Sequence, residues 1–134
     1  MLGNAPVIAT LPCVNIEGAR KFYGEILGLK EVQMPGVPEE FAEVNALFEC
    51  GQGTNLLVYS RATRTQADHT AAGWMVEDLD SVADQLISRG VKFEVYDDMP
   101  GVEWDERGVA TMGPSKAAWF KDPEGNILSI NEML

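Results

Sequence analysis

The sequence predicts an α+β domain in which two βαβββ modules form one curved mixed sheet around a cleft, with the helices on the outside. Two observations predict this class. A short apolar segment precedes an amphipathic helix pattern twice along the chain, and short extended segments separated by glycine and proline follow each helix. One module alone would leave a sheet face uncovered, so we expect the modules to pair within a single domain over residues 1–134.

The first module begins with the apolar run Val7–Leu11, which is too short for a helix and is interpreted as a strand closed by Pro12. Asn15 is a good N-cap for a helix over about residues 16–27, whose apolar residues recur at helical spacing. Gly28 suits the left-handed position that ends such a helix. The module covers about residues 5–60, with further extended segments at about 29–34, 44–50 and 55–60.

The pattern restarts after a linker over residues 61–68, which shows no apolar period. A strand is predicted from about His69 to Val76, and Asp78 then caps a helix that ends at Gly90. The segment Val91–Tyr96 is predicted to be the next strand. The module covers about residues 69–132, with an irregular stretch over 97–108, strands at about 109–112, 116–121 and 127–131, and a tight hairpin turn over 122–126.

The chain carries 21 acidic and 10 basic residues, which gives a formal net charge of −11. Such a field repels nucleic acid and anionic lipid, so neither a nucleic acid nor a membrane is expected as a partner. The apolar runs are far shorter than the ~20 residues that span a bilayer, and Met1–Pro6 lacks the basic start of a signal peptide. We therefore expect a cytoplasmic protein in which Cys13 and Cys50 are buried thiols rather than a disulfide.

Three motifs resemble those of the vicinal oxygen chelate superfamily, which includes glyoxalase I, extradiol dioxygenases, fosfomycin-modifying enzymes and bleomycin-resistance proteins. Residues 22–29 (FYGEILGL) resemble its first helix end, residues 76–80 (VEDLD) its second strand-to-helix junction, and residues 119–126 (WFKDPEGN) its final hairpin. The resemblance covers roughly residues 6–132 and implies the paired-module fold. It does not fix an activity, because this fold hosts many chemistries.

The resemblance also points to positions where metal-using relatives carry His and Glu ligands. In this sequence those positions are occupied by Ile8, Ala71 and Ser129. Ile and Ala side chains have no donor atom and a neutral Ser is a weak ligand, so the sequence departs from the enzyme pattern and no cofactor is predicted. A divalent metal is the alternative, and whether the protein is an enzyme is left open.

His69 is the one histidine and the weak candidate for a catalytic residue. Strict strand alternation puts His69 and Ala71 on the same inner face. His69 is then a metal ligand in a shifted register, a general base, or a histidine at the solvent-exposed rim. A metal would also require carboxylate partners, for which Glu49 and Glu132 are the candidates.

The same alternation predicts which side chains line the cleft, and it directs Trp74 to the helix side. An apolar and aromatic surface with a few polar groups is typical of a small-molecule site. Its aromatic rings stack on flat ligands or attract cations, and acidic residues in the 97–108 loop would favour a cation. The candidate ligand-binding residues are Thr10, Tyr59, His69, Trp104, Trp119 and Ser129. Of these, Trp119 is implied by the resemblance, Trp104 lies in the irregular loop, and Tyr59 is chosen although alternation does not decide between it and Val58.

The leading hypothesis is a glyoxalase- or bleomycin-resistance-like protein without the family metal, which binds a small aromatic or cationic organic molecule in its cleft. Bleomycin-resistance proteins, which the chain resembles in size, acidity and missing ligands, sequester a cationic drug in this way. By analogy with relatives we also expect a homodimer. Two alternatives stay open: a metal-dependent lyase, isomerase or dioxygenase of the same superfamily, and a non-catalytic interaction module.

Overall fold

The computed structural model describes residues 1–133 as two compact units, each with its own mixed sheet. The first unit comprises residues 1–66 together with 123–126, and the second comprises residues 67–122 together with the chain from Ile127. The predicted α+β class is confirmed, because each unit combines short helices with a mixed sheet. No helix within residues 1–133 is long and apolar enough to cross a membrane.

The first unit contains a four-stranded sheet. Its strands are β1 (Ile8–Cys13), β2 (Lys30–Val32), β3 (Asn45–Glu49) and β4 (Asn55–Ser60). They lie in the order β1-β4-β3-β2, with β1 parallel to β4 and the other neighbours antiparallel. The prediction that the first strand closes at Pro12 is wrong, since β1 continues to Cys13. Proline is tolerated there because β1 is the terminal strand of its sheet.

The predicted helix after Asn15 forms, but its second half has a wider turn than expected. Helix α1 (Ile16–Lys21) begins where the Asn15 side chain accepts a hydrogen bond from the Gly18 N–H, and it continues as a π-helix over Phe22–Ile26. Gly28 ends the segment at φ 74°, as predicted. The wider turn places the aromatic pair on the sheet side, where Tyr23 is fully buried.

The first unit also contains a helix that the sequence did not predict. Helix α2 (Glu39–Val44) lies in a segment that has no buried residue. Because its exposed positions carry both acidic and apolar side chains, the segment shows no amphipathic period. A single 3₁₀ turn (Gly51–Gly53) then joins β3 to β4.

Residues 123–126 belong to the first unit through two side chains. The carboxylate of Glu124 accepts hydrogen bonds from the backbone N–H groups of Val14, at 2.7 Å, and Asn15, at 3.1 Å. The Asn126 side chain donates to the carbonyl oxygen of Pro12 at 3.0 Å. Both Glu124 and Asn126 are buried. This turn therefore supplies partners to the backbone that connects β1 with α1.

The second unit contains a five-stranded sheet and one long helix. Helix α3 (Leu79–Ser88) begins at Asp78, whose side chain accepts a hydrogen bond from the Ser81 N–H, as the sequence predicted. The strands are β5 (Thr70–Met75), β6 (Glu103–Trp104), β7 (Ala110–Met112), β8 (Ser115–Lys121) and β9 (Ile127–Met133). They lie in the order β5-β9-β8-β7-β6, with β5 parallel to β9.

The predicted strand over Val91–Tyr96 is wrong. Within the described residues this segment makes a single β-bridge, between Glu94 and Trp119. The cause is the pairing of β8, because its edge is taken by β7 over residues 115–117. Beyond that pairing the segment meets β8 at the Glu94–Trp119 bridge, so it passes the sheet without forming a strand.

The two faces of the second sheet differ in character. On one face the sheet and α3 bury an apolar layer; on the other, the register places Trp119 opposite Ser129 and Gly73. Trp74 pairs with Ile130 in register and lies on the helix side, as predicted. The buried apolar layer consists of Ala118, Phe120, Leu128 and Ile130 with Leu79, Ala83 and Leu86 of α3.

Candidate ligand site on the second sheet

Trp119 forms the centre of an aromatic cluster on the sheet face opposite α3. The Tyr96 ring stands nearly perpendicular to the Trp119 indole, with 5.8 Å between centroids, and the Trp104 ring lies tilted at 5.9 Å. All three side chains are partly exposed. Three partly exposed rings within contact distance form a surface on which a flat or cationic ligand binds favourably.

The orientation of Trp119 is fixed by a hydrogen bond across the sheet. Its indole N–H donates to the Thr70 hydroxyl at 3.1 Å. A register shift between Thr70 and Ala72 pairs Thr70 with Ile127, on the same face as Trp119. The strict alternation expected for this strand is therefore broken, and Thr70 rather than Ala71 contacts the aromatic cluster.

A polar patch lies beside the indole. Ser129 is opposite Trp119 in register and is buried, and the Asn131 amide donates to its hydroxyl oxygen at 2.9 Å. Gly73 provides the space, since a Cβ at that position would come within 2.5 Å of the Ser129 hydroxyl oxygen. The patch supplies hydrogen-bonding groups next to an aromatic wall, which is the usual composition of a small-molecule site.

Tyr96 contributes a polar group that lacks a partner. Its hydroxyl is buried, and no described residue forms a hydrogen bond with it. Burial, and then the negative charge of Glu94, raises the pKa of Tyr96 above its ordinary value. The group therefore keeps its proton at neutral pH and is available as a donor.

The turn that follows β6 is anchored to α3 by an ion-pair network, and β6 carries Trp104. The Arg107 guanidinium contacts Asp80 at 2.6 Å, Asp84 at 2.9 Å and Asp105 at 2.8 Å, and Lys116 contacts Asp80 at 2.7 Å. The Asp105 side chain also accepts hydrogen bonds from the backbone N–H groups of Arg107 and Val109. Shared partners restrict these side chains more than isolated surface pairs would.

The network also determines the protonation of its carboxyls. The hydrogen bond from Lys116, followed by that from Arg107, lowers the pKa of Asp80. Burial opposes ionisation of Asp105, but hydrogen bonds from Val109 and Arg107 outweigh it, so the pKa of Asp105 is also lowered. Both groups stay ionised well into the acid range, and the charge of the network is constant at neutral pH.

The structure brings three of the six candidate ligand-binding residues together, namely Trp104, Trp119 and Ser129. His69 lies one residue before β5, is exposed, and has its Nδ1 3.3 Å from the Thr70 carbonyl oxygen. Thr10 and Tyr59 belong to the first unit, where the β1–β4 register places them on one face of its sheet, away from the buried layer. Their part in binding stays a prediction.

The family model of the Glyoxalase/Bleomycin resistance protein/Dioxygenase superfamily matches residues 7–130. The chain belongs to this superfamily. Membership confirms the resemblance carried by residues 22–29, 76–80 and 119–126. No curated protein matches the chain significantly.

Solved structures of the superfamily share the fold over nearly the whole chain. A glyoxalase family protein from Bacillus anthracis matches with a TM-score of 0.73 at 20% identity, covering 98% of this chain and 96% of that one. The antibiotic binding protein TnmS3 from Streptomyces sp. CB03234 matches with a TM-score of 0.67 at 22% identity, covering 100% and 99%. Lactoylglutathione lyase from Agrobacterium tumefaciens matches with a TM-score of 0.64 at 19% identity, covering 96% and 93%. At these identities the likeness establishes the fold alone.

The residues at the positions where the resemblance implies metal ligands do not form a fitting donor set. Ile8 and Ala71 have no donor atom, and the Ser129 hydroxyl is already bonded to Asn131. Glu132, a candidate carboxylate partner, instead accepts a 2.8 Å hydrogen bond from the Leu79 N–H at the start of α3. Among residues 1–133, no group of three or more His, Cys, Asp or Glu side chains is arranged to hold a metal ion.

Two residues of the aromatic cluster around Trp119 were not predicted from the sequence. Thr70 was missed because a register shift cannot be seen in a single sequence. Tyr96 was placed at the end of a strand that does not form, so its contact with Trp119 was not expected. The signal that was available for Tyr96 is the aromatic residue itself, standing at the end of an apolar run beside an irregular loop.

Proposed function

We propose that this protein binds a planar aromatic organic molecule, neutral or cationic, on the aromatic face of its second sheet, and that it does so without a resident divalent metal. The observation that carries the proposal is the arrangement of Tyr96 and Trp104 around the partly exposed Trp119. Sequestration of a toxic compound, such as an antibiotic, is one biological use of such binding.

The chemistry of the face supports an aromatic ligand. A ring stacked on an indole gains contact area and quadrupole attraction, and a cation gains further from the π-face. The Thr70 bond holds the Trp119 indole in place before a ligand arrives, so less conformational entropy is lost on binding. Ser129 and Asn131 add hydrogen-bonding groups that favour one orientation of the ligand.

The charge of the chain supports a neutral or cationic ligand over an anion. The net charge is −11, and several acidic residues lie in the loop that carries Trp104. Two of the ionised carboxylates near this loop, Asp80 and Asp105, are neutralised by Arg107 and Lys116. The remaining negative field raises the local concentration of cations and lowers that of anions.

The solved structures that share this fold are consistent with the proposal, but they do not identify a ligand for this chain. A protein described as antibiotic binding, TnmS3, shares the fold of this chain at 22% identity. A lyase shares the fold as well, so the fold alone favours neither binding nor catalysis. Ile8 and Ala71 have no donor atom at positions where the resemblance implies metal ligands, and this favours binding without a metal.

The proposal is tested by titrating the protein with a panel of flat cationic and neutral aromatic compounds, followed by calorimetry. We expect at least one class to bind, and Trp119→Ala to weaken that binding at least tenfold. Trp74→Phe is the matched control, because Trp74 lies on the helix side of the same sheet and its loss should leave the affinity unchanged. Absence of binding across the panel, or equal binding by Trp119→Ala, would refute the proposal.

We also propose that the protein is a homodimer, by analogy with relatives in the superfamily. Light scattering coupled to size-exclusion chromatography tests this directly. A mass of twice the 14.7 kDa of the chain supports the dimer, and a mass equal to one chain at micromolar concentration contradicts it.

A further inference from the structure

The hydroxyl of Tyr96 is a polar group that the fold of the second unit does not explain. It is buried without a hydrogen-bond partner among the described residues. A buried hydroxyl of this kind destabilises a protein, so its presence requires a reason. Its position suggests one, since the ring that carries it contacts Trp119 at the centre of the aromatic face.

We propose that Tyr96 is the specificity-determining residue of this site, and that its hydroxyl donates a hydrogen bond to a neutral carbonyl oxygen on the ring system of the ligand. The protein then selects planar aromatic ketones and lactams over flat molecules that lack such an acceptor. This inference rests on the proposed ligand site and adds the chemical class of the ligand.

The geometry of the rings favours a carbonyl in the plane of the ligand. A ligand stacked on Trp119 lies parallel to the indole, and the lone pairs of a ring carbonyl point outward in that same plane. Tyr96 flanks Trp119 with an angle of 77° between ring planes. The Tyr96 ring is therefore steeply inclined to a ligand that stacks on Trp119, and the proposed hydrogen bond joins its hydroxyl to an oxygen at the edge of that ligand.

The electrostatics favour a neutral acceptor. The Tyr96 hydroxyl retains its proton, because burial disfavours the phenolate. An anionic acceptor such as a carboxylate would enter against the net charge of −11. A carbonyl oxygen pairs with the hydroxyl without bringing a charge into the site.

The ligand must uncover the hydroxyl when it binds. Among the described residues, the backbone around Tyr96 joins the sheet through the single bridge at Glu94, and Trp104 belongs to a two-residue strand at the sheet edge. Segments with so few backbone bonds open locally at low cost in free energy. A small displacement at this edge is therefore sufficient to expose the donor.

The test compares Tyr96→Phe with the natural protein, using 9(10H)-acridone and proflavine as probes. Both probes have three fused rings, but acridone carries a ring carbonyl and proflavine is a cation without one. Losing one neutral hydrogen bond should weaken acridone binding about three- to tenfold, while proflavine binding changes less than about twofold. The melting temperature of Tyr96→Phe should stay equal or rise, because the hydroxyl has no partner in the free protein.

Other results of this comparison would contradict the role of Tyr96. If Tyr96→Phe leaves acridone binding unchanged, weakens both probes equally, or lowers the melting temperature by several degrees, the inference is wrong. Binding of proflavine but not acridone by the natural protein also overturns it. In those cases the ligand site stands so long as Trp119→Ala abolishes probe binding. If neither probe nor any panel compound binds the natural protein, the proposed function fails and this inference fails with it.

Discussion

The indole N–H of Trp119 on β8 donates a 3.1 Å hydrogen bond to the hydroxyl of Thr70 on β5, although β9 lies between these two strands. The indole therefore extends across β9 and covers part of its surface. Two backbone features permit this bond. The register shift after Thr70 puts its side chain on this face, and Ser129 on β9 is small enough to lie beneath the ring.

Replacing Thr70 by Val should loosen Trp119 without unfolding the protein. The exposed hydrogen bond contributes about 0.5–1 kcal/mol to stability, because water replaces the lost partner in part. We expect a red shift of tryptophan emission and weaker binding of aromatic probes, by about threefold. Thr70→Ser keeps the hydroxyl and is the control. Equal emission spectra for Thr70→Val and the natural protein would show that the bond does not hold the indole.

Replacing Gly73 by Ala should destabilise the second unit by about 1 kcal/mol, because the extra methyl forces the Ser129 and Asn131 side chains to shift. The added Cβ would lie 2.5 Å from the Ser129 hydroxyl oxygen and 3.0 Å from the Asn131 amide nitrogen. Urea unfolding measures the change. Gly51→Ala is the matched control, since nothing lies within 4 Å of a Cβ there.

Adding Ser129→Ala to Gly73→Ala should recover part of the lost stability, because it removes the atom that the new methyl meets first. A double-mutant cycle isolates this coupling. Strictly additive losses would mean that the backbone, rather than the Ser129 hydroxyl, limits the space at Gly73.

The Arg107 network should stabilise the protein at neutral pH and lose its effect in acid. The pKa values of Asp80 and Asp105 are lowered in the folded state, so the stabilisation is fully present above the unfolded Asp value of about 3.9. It is lost as the pH falls from there through the lower folded-state values. Arg107→Gln should therefore cost about 1 kcal/mol at pH 7 and progressively less from pH 4 downward.

Calorimetric melting temperatures at pH 7, 5, 4 and 3 test this dependence. The exposed residue Arg64 provides the control, since Arg64→Gln removes the same charge from the linker. A difference between Arg107→Gln and the natural protein that stays constant down to pH 3 would contradict the role given to the two carboxylates.

Replacing Glu124 by Ala should destabilise the first unit by about 2–3 kcal/mol. The buried carboxylate accepts from two backbone N–H groups, of Val14 and Asn15, and its removal leaves both without this partner. Glu124→Gln keeps one acceptor oxygen and should lose less. Denaturant unfolding compares the two variants, and equal stability of Glu124→Ala and the natural protein would rule out a structural role for the carboxylate.

Purified protein exposed in turn to Mn, Fe, Ni and Zn and then desalted should retain far less than one metal ion per chain. The positions where the resemblance implies metal ligands are occupied by Ile8, Ala71 and Ser129, which do not form a donor set. Elemental analysis gives the ratio. If the natural protein retains about one metal ion per chain and His69→Ala retains less, His69 is a metal ligand. That result would support the metal-dependent enzyme instead.

Local signals in the sequence predicted most elements of the fold. The caps at Asn15 and Asp78 and the glycine at position 28 act within one helical turn, so a single sequence contains what determines them. Helix α2 was missed because its stability comes from no apolar stripe that a pattern would reveal. The Val91–Tyr96 strand was predicted wrongly because local propensity does not say whether a sheet edge is free to receive it.

The candidate site was predictable to the extent that strand alternation determines it. The family resemblance supplied Trp119, which the β8–β9 register places opposite Ser129. Alternation directed Ser129 inward. It gave no information about Thr70, whose position depends on a register shift, or about Tyr96, whose contact with Trp119 is made through a single bridge. Glu132 was offered as a possible ligand because sequence does not show that the Leu79 N–H binds it.

The Glu124 contact also bears on how the chain is made. Its carboxylate binds the backbone of residues that lie 110 and 109 positions earlier in the sequence. During synthesis, the backbone of Val14 and Asn15 is made seconds before Glu124 is added, because chains grow at roughly 5–20 residues per second. The junction between β1 and α1 therefore remains without its carboxylate partner until Glu124 has been made and has folded back onto it.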